Sequence, residues 1–188
     1  MTGHEYPVES SVTEFEAFRF RMLRDRVGMP DGGSADRVYL DHPGAVAVVA
    51  LDDAGRVALV HQYRHPARQR LWELPAGLRD VAGEEPEVTA GRELAEEVDV
   101  TAGNIEFLVD IFTSPGCSDE RVRIYLATDL KPVPEAQRFR RTEEEAELTV
   151  HWWRPADVVP AILSGQIVNG IAVAGLLAAI ESRKTTDL

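Results

Sequence analysis

The stretch GEEPEVTAGRELAEEVDV, Gly83 to Val100, decides the fold and places six glutamates within eighteen residues. A helix tolerates proline in its first turn, so Pro86 predicts the start of a helix that continues to about Val98. Three of the glutamates lie within five positions near the end of this helix. Their mutual repulsion is costly unless a cation lies among them.

The predicted helix is amphipathic. At about 100° per residue, one stripe is small and apolar and consists of Gly91, Leu94, Ala95 and Val98. The opposite side is acidic and consists of Glu93, Glu96 and Glu97. These carboxylates are close enough to form one oxygen-rich patch, which suits Mg²⁺ or Mn²⁺. The alternative is a solvated acidic face, because charge runs usually face water.

The segments around this helix predict an α/β fold. Residues 45–51 form a buried-strand pattern, DDAG is a turn, and residues 56–64 are the expected partner strand of a hairpin. Further strands are expected at residues 104–113 and 121–128 and in ELTVHWW, followed by helices in ADVVPAILSG and at residues 169–181. This order predicts an α/β sandwich with a mixed sheet between helical layers.

The first part of the chain predicts a separate small unit. Residues 11–29 alternate apolar and charged side chains, PDGGSAD is a turn by composition, and RVYLDH is extended. Residues 1–42 are therefore expected to form an antiparallel β unit that is too small to stand alone. Residues 43–184 are expected to form the main domain, and residues 185–188 a frayed tail.

Composition limits the classes of function. The 188 residues are 44% hydrophobic, which supports a core, and the net charge of −12 opposes a general affinity for nucleic acid or an anionic membrane. The longest apolar run is too short to span a bilayer, and no secretory leader is evident. Cys117 is the single cysteine, so no internal disulfide is expected. A cytoplasmic protein is predicted.

The glutamate segment resembles the Nudix hydrolase signature, G-x5-E-x7-R-E-U-x-E-E-x-G-U, where U is aliphatic. Gly77 precedes Glu84 by one residue more than usual, residues 92–98 fit, and Val100 fills the last aliphatic place. Asp99 stands where the signature has a glycine, which readily adopts a left-handed, helix-ending conformation. The resemblance implies a Nudix-type α/β/α sandwich preceded by the small N-terminal antiparallel β unit.

Within this family, the chain resembles the actinobacterial-type ADP-ribose pyrophosphatases. Pro115 lies sixteen residues after Asp99, where that group carries a proline, and LWELPAGL and QYRH are also similar. The resemblance implies metal-dependent hydrolysis of ADP-ribose to AMP and ribose 5-phosphate by attack of water on the diphosphate. Taken alone, Ser114-Pro115-Gly116 is better explained as an ordinary turn, and only its offset from the signature favours a role in the site.

The resemblance also implies roles for residues around the metal. Glu93 and Glu97 are the expected ligands of Mg²⁺ or Mn²⁺, with Glu96 beside them and the carbonyl oxygen of Ala76 as a further donor. Glu84 is another candidate ligand. Arg92 is expected to orient the carboxylates, since a guanidinium cannot bind a cation.

The general base is expected in RTEEEAELTV. The resemblance favours Glu145, with Glu144 as its neighbour; Glu143 and Glu147 are the other glutamates of the segment. An exposed acidic loop is an equally open interpretation for any one of them.

Substrate contacts are expected on two sides of the site. Arg64 and Glu73 are candidates for its edges, although Arg64 can also be a surface strand residue and Glu73 an interface salt-bridge partner. The candidates for the terminal-ribose end are Ser114, Gly116 and Glu120.

The resemblance further implies a homodimer in which the N-terminal unit is exchanged between subunits. No nucleic acid or membrane partner is expected. Three other interpretations stay open: a Nudix hydrolase of another nucleotide sugar or nucleotide, a non-catalytic ADP-ribose sensor, and an acidic α/β domain with no catalytic role.

Overall fold

The structure is a computed structural model that describes residues 4–142 and 146–186. The chain forms two compact units. One comprises Met1–Gly44 and Phe112–Arg121, and the other comprises Ala45–Ile111 and Val122–Leu188.

The first unit contains a three-stranded antiparallel sheet in the order β1-β2-β3. Its strands are β1 Val8–Ala17, β2 Phe20–Gly28 and β3 Ser34–Asp41. Gly32 turns the chain between β2 and β3 with a φ of 83°, in the left-handed region that glycine adopts without a steric penalty. The predicted N-terminal antiparallel sheet is confirmed.

The second unit contains two sheets. Its strands are β4 Ala45–Ala50, β5 Val57–Arg64, β6 Gln69–Glu73, β7 Ala76–Leu78, β8 Val100–Phe112, β9 Arg121–Pro132 and β10 Thr149–Trp153. One sheet is mixed and has the order β7-β4-β9-β8, in which β4 runs parallel to β9 and antiparallel to β7. The other sheet is antiparallel and has the order β10-β5-β6.

Three α-helices belong to the described part of this unit: α1 Pro86–Val98, α2 Pro155–Leu163 and α3 Gly170–Thr186. Short 3₁₀ turns occupy His65–Ala67 and Glu135–Gln137. The predicted start and end of the glutamate helix are both confirmed. Across residues 4–142 and 146–186, no helix has both the length and the apolar composition needed to cross a membrane.

Strand β4 is the centre of the second unit because both of its faces are covered. Its alternate residues Val46 and Val48 pack in one apolar cluster with Ala90 and Leu94 of α1. The residues between them pack in a second cluster with α2 and α3. Helices therefore cover both sides of the sheet, which confirms the α/β/α sandwich.

The prediction that β4 and β5 form a hairpin was wrong. The turn is present, since the N–H of Gly55 donates to the carbonyl of Asp52 at 2.8 Å. However, within the described chain a single bridge, Leu51 with Val57, joins the two segments. Both edges of β4 are already occupied by β7 and β9, so β5 pairs instead with β6 and β10 in the second sheet.

Candidate active site

The site is built on helix α1, whose two ends are determined locally. Pro86 occupies the first turn, where its missing N–H removes no hydrogen bond, and Glu85 before it is extended. At the other end, Asp99 adopts φ 58° and ψ 34°, the left-handed conformation that ends the helix. The non-glycine residue is thus accommodated at the position where the sequence departs from the signature.

Glu97 is buried, contrary to the sequence analysis. The residue is only 5% exposed, so it does not lie on a solvent-facing acidic side of α1. One carboxylate oxygen accepts a hydrogen bond from the backbone N–H of Ala76 at 2.9 Å. A buried carboxylate requires such donors, and α1 is thereby fixed to β7.

Glu93 lies against the next residue of β7. A Cβ atom added to Gly77 would lie 2.0 Å from the Glu93 carboxylate, far inside any permitted contact. A side chain at this position would therefore displace the Glu93 carboxylate. Because Glu93 and Glu97 are four residues apart on α1, both carboxylates reach the backbone of residues 76–77.

Arg92 connects three other carboxylates. Its guanidinium lies 2.8 Å from Glu93, 3.2 Å from Glu96 and 3.4 Å from Glu84. Burial opposes ionisation of Arg92, but the hydrogen bond to Glu84 and the charges of Glu93 and Glu96 outweigh it and raise the pKa of Arg92. This arginine offsets the repulsion between the glutamates and restricts the rotamers of Glu93 and Glu96.

Glu84 is held in its ionised form at the start of the same helix. The hydroxyl of the buried Thr89 donates to Glu84 at 2.8 Å. That hydrogen bond, followed by the one from Arg92, lowers the pKa of Glu84 below its ordinary value of 4.5. Glu84 therefore carries a negative charge at neutral pH and is turned toward Arg92.

Arg64 and Glu73 form an ion pair across neighbouring strands. The guanidinium contacts both carboxylate oxygens of Glu73, at 2.7 to 3.1 Å, and the amide of Gln62 donates to the same carboxylate at 3.1 Å. Glu73 is 3% exposed, whereas the Arg64 side chain is 45% exposed. The buried glutamate thus fixes one side of an arginine that remains accessible to solvent.

The remaining predicted substrate residues belong to the first unit. The carbonyl of Ser114 accepts from the N–H groups of Cys117 and Ser118 at 2.9 and 3.0 Å, which closes a turn. Gly116 lines a groove of about 380 Å³ between this turn and β3. Glu120 accepts a hydrogen bond from the Thr113 hydroxyl and lies 3.7 Å from the His42 ring.

Comparison with known proteins identifies the family. Residues 41–170 match the NUDIX domain. The chain belongs to the Nudix family. It is 50% identical over 180 residues to "ADP-ribose pyrophosphatase" of Mycobacterium tuberculosis (strain ATCC 25618 / H37Rv), covering 95% of this chain and 84% of that protein.

Two further relatives support the family and the fold. The chain is 40% identical over 126 residues to "ADP-ribose pyrophosphatase" of Bacillus subtilis (strain 168), which covers 66% of this chain and 68% of the relative. A solved structure titled "Crystal structure of ADP compounds hydrolase" superposes with a TM-score of 0.83 and 20% identity over 99% of this chain and 98% of that chain. This similarity shows that the two chains share a fold.

The Nudix helix offers oxygen donors that fit a divalent cation. Glu93 lies against Gly77, which has no side chain to displace its carboxylate, and Glu97 accepts a hydrogen bond from the N–H of the preceding residue, Ala76. Mg²⁺ is commonly held by one or two carboxylates plus substrate phosphates, so a complete protein cage is not required. Accordingly, among residues 4–142 and 146–186 no three His, Cys, Asp or Glu side chains form a ready metal cage.

The structure divides the three predicted glutamates into two sets. Glu93 and Glu97 reach β7, whereas the carboxylate of Glu96 contacts Arg92, which also contacts Glu93. The predicted role of the Ala76 carbonyl stays a prediction, since the contact present at Ala76 is made by its N–H. The predicted bases Glu144 and Glu145, with Glu143, lie outside the described residues. Glu147 is exposed and pairs with Arg70.

The sequence analysis missed the structural roles of four residues in the site, namely Gln62, Gly77, Thr89 and Arg141. The role of Gly77 is to leave room for the Glu93 carboxylate. Gly77 and Thr89 had a usable signal, since both lie within the signature segment. Gln62 contacts Glu73 across strands, and Arg141 contacts Asp99 over 42 residues. No local pattern reports contacts of this kind.

Proposed function

We propose that this Nudix protein hydrolyses ADP-ribose to AMP and ribose 5-phosphate. The observation that carries the proposal is the 50% identity, across 95% of the chain, to a protein named ADP-ribose pyrophosphatase. The chain retains every carboxylate of the signature helix, which supports catalysis over mere ligand binding.

Glu93 and Glu97 are the proposed carboxylate ligands of Mg²⁺ or Mn²⁺, with Glu96 beside them and the carbonyl oxygen of Ala76 as a further donor. A cation supplies charge neutralisation for the diphosphate and lowers the pKa of water. A cation is needed because the substrate is an anion and must approach a cluster of glutamates in a chain of net charge −12.

Arg92 is the proposed positioning residue of this cluster. Its contacts with Glu93 and Glu96 fix the two side chains before substrate arrives. A fixed carboxylate loses less conformational freedom on binding than a mobile one, so preorganisation increases the affinity for the cation.

Glu145 is the proposed general base, with Glu144 as its neighbour. The oxygen of the attacking water forms a bond to one phosphorus while the bond from that phosphorus to the bridging oxygen breaks. Glu145 accepts the proton that the water loses, and the proton passes to the leaving phosphate. Atoms and charge balance with one water consumed for each ADP-ribose.

Arg64 is proposed to bind the substrate at one edge of the site. Glu73, which also accepts a hydrogen bond from Gln62, fixes the guanidinium of Arg64, so Arg64 offers an oriented positive charge at low entropic cost. At the terminal-ribose end, Ser114, Gly116 and Glu120 are the proposed contacts. The turn at Ser114 and the open groove beside Gly116 support this assignment.

A homodimer with an exchanged N-terminal unit is proposed, because the sheet of β1 to β3 exposes large apolar side chains. These are Val12, Phe15, Met22 and Val38. The single cysteine is consistent with a reducing compartment, and we place the activity in the cytoplasm. The net charge opposes binding to nucleic acid or an anionic membrane.

The proposal is tested by product analysis with ADP-ribose, ADP-glucose, diadenosine diphosphate and 8-oxo-dGTP, each with Mg²⁺, Mn²⁺ or EDTA. We expect AMP and ribose 5-phosphate from ADP-ribose at the highest rate, only when a cation is present. Faster turnover of another compound would transfer the assignment to that substrate. Tight binding of ADP-ribose without turnover of any compound would favour a sensor.

A further inference from the structure

His42 and Glu120 lie side by side within the first unit. His42 follows β3, and Glu120 immediately precedes β9. The Nε2 atom of the His42 ring is 3.7 Å from Oε1 of Glu120. This separation is too long for a direct hydrogen bond. The two atoms therefore face each other across a short gap.

The proton of the His42 ring is carried by Nε2. The backbone N–H of Gly44 donates to Nδ1 of the ring at 3.0 Å. A backbone N–H can only donate, so Nδ1 is the acceptor, and a neutral imidazole then has its proton on the other nitrogen. His42 thus directs a hydrogen-bond donor toward Oε1 of Glu120.

Other contacts fix the ring and the carboxylate on both sides of the gap. The backbone N–H of His42 donates to Oδ1 of Asp119 at 2.8 Å, and the ring of Phe20 lies 5.1 Å from the His42 ring. The hydroxyl of Thr113 donates to Oε2 of Glu120, which leaves Oε1 toward the ring. The donor and the acceptor are therefore held in place without contacting each other.

The gap is accessible to a small polar group. The side chain of Glu120 is 25% exposed, and that of His42 is 7% exposed. Among residues 4–142 and 146–186, Oδ1 of Asp25 is the one side-chain nitrogen or oxygen that is fully buried and makes no hydrogen bond. Nε2 of His42 and Oε1 of Glu120 make no hydrogen bond within the same residues, so neither atom is fully buried.

We propose that His42 and Glu120 together bind one hydroxyl group of the terminal sugar, an inference that rests on the proposed function. A hydroxyl oxygen about 2.8 Å from each of the two atoms fits their separation of 3.7 Å. It accepts a hydrogen bond from Nε2 and donates one to Oε1. An ionised phosphate oxygen only accepts, and the Glu120 carboxylate repels it. His42 is therefore a specificity residue for a hydroxylated terminal group.

Two replacements of His42 separate the roles of its two ring nitrogens. His42→Asn keeps an acceptor near the position of Nδ1 for the N–H of Gly44 but has no donor near Nε2. His42→Gln places an amide donor near Nε2 but leaves the Gly44 N–H without its acceptor. His151→Asn is the matched control, because His151 is an exposed histidine of β10 in the other unit.

The test measures turnover of ADP-ribose and of the β-methyl ester of ADP, which keeps the diphosphate but has no terminal sugar. We expect His42→Asn to lower kcat/KM for ADP-ribose by about tenfold, mainly through KM, because a single hydrogen bond contributes a factor of about this size. For the methyl ester, kcat/KM should stay within about twofold of wild type. The preference of the wild-type protein for ADP-ribose should therefore fall about tenfold.

The thermal midpoint separates hydroxyl binding from structural support. His42→Gln should retain most of the preference for ADP-ribose but have a lower thermal midpoint, because the Gly44 N–H loses its acceptor. His42→Asn should show the reverse, and His151→Asn should match wild type in both measurements. Combining His42→Asn with Glu120→Gln should reduce the preference by less than the product of the two single effects, since both residues contact one hydroxyl.

Three results would overturn the inference. In one, His42→Asn keeps the wild-type preference for ADP-ribose over the methyl ester. In another, His42→Asn slows both compounds equally, as expected for a purely structural residue. In the third, which needs no variant, the wild-type protein hydrolyses ADP-ribose but does not prefer it.

Each of these results leaves the proposed function in place, because ADP-ribose is still hydrolysed by the wild-type protein. Absence of turnover of both compounds by the wild-type protein would reject the proposed function and this inference together. The two failures are thus distinguished on the same preparations.

Discussion

Strands β4 and β1 are opposite extremes of burial. All six residues of β4 are buried, whereas nine of the ten residues of β1 are exposed and the tenth is half-buried. The exposed side chains of β1 include Val12 and Phe15, so the difference is not one of polarity alone. The apolar residues of β4 find partners within the second unit, but those of β1 remain uncovered.

This difference separates the proposed metal site, which is formed within one unit, from the proposed dimer interface. The proposed metal ligands Glu93 and Glu97 contact β7, which pairs with the buried β4. That region needs no second chain for its geometry. The sheet of β1 to β3 exposes apolar surface of the kind that mediates association, which supports a second copy as its partner.

Among the three effects that test this difference between regions, the largest is expected in the buried region. Gly77→Ala places a methyl group 2.0 Å from the present position of the Glu93 carboxylate, which must move. We expect kcat for ADP-ribose to fall between about tenfold and a hundredfold, measured by AMP release. In Gly170→Ala the new methyl group meets nothing within 4 Å, so this control should retain activity. Equal activity in both variants would contradict the close packing of Glu93.

The next effect concerns the exposed sheet. Phe15 pairs with Met22, and Val38 pairs with Arg24. Met22 and Arg24 are two residues apart on β2 and so point to the same face, which places Phe15 and Val38 on that face as well. Replacing both residues by glutamate should shift the mass measured by light scattering after size exclusion from twice 20.8 kDa to 20.8 kDa. The reason is that like charges and lost apolar contact both oppose association.

Leu163→Glu is the control for this experiment. Leu163 is 82% exposed at the end of α2, in the other unit, so its replacement should leave the oligomeric state unchanged. A wild-type protein that has the monomer mass at micromolar concentration would contradict the proposed dimer. A dimer that survives the double replacement would exclude this face as the interface.

The smallest effect is a pH dependence within the buried region. In the folded protein, hydrogen bonds from Thr89 and then Arg92 lower the pKa of Glu84, so ionised Glu84 stabilises the fold above its ordinary pKa of 4.5. This stabilisation is lost as the pH falls through the lowered value. Thr89→Val removes the first hydrogen bond, so its thermal midpoint should be below that of wild type at pH 7. The gap should narrow below about pH 4.5.

Thr101→Val provides the matched comparison for the pH series. The Thr101 hydroxyl donates to the carbonyl of Lys131, which does not titrate. Its effect on the thermal midpoint should therefore be independent of pH between 7 and 4. If the effect of Thr89→Val is equally independent of pH, the hydrogen bond to Glu84 does not control the ionisation of that carboxylate.

Local features of the chain could be predicted from the sequence. Pro86 and the left-handed residue at 99 bound α1 through interactions within a few residues, and the uniform apolar run of β4 predicts a strand covered on both faces. The alternating segments before residue 42 similarly predict the N-terminal sheet, because strand pattern and turn composition are both local.

Contacts between distant segments could not be predicted. Strand β5, which follows the Asp52 turn, belongs to another sheet because both edges of β4 pair with strands that come later in the chain, β7 and β9. The charge of Glu97 predicts exposure, whereas its position seven residues after Ala90 and three after Leu94 favours the buried face of α1, where the structure has it. The contact of Arg141 with Asp99 joins segments 42 residues apart and has no periodic signal.

The most direct test measures Mn²⁺ binding and ADP-ribose turnover on the same preparations of wild type, Glu97→Gln and the exposed control Glu135→Gln. We expect Glu97→Gln to weaken Mn²⁺ binding and to lower kcat by at least about a hundredfold, since a catalytic metal contributes several kcal/mol. Glu135→Gln should match wild type in both measurements. Wild-type metal affinity and turnover in Glu97→Gln would contradict the assignment of helix α1 as the metal site for ADP-ribose hydrolysis.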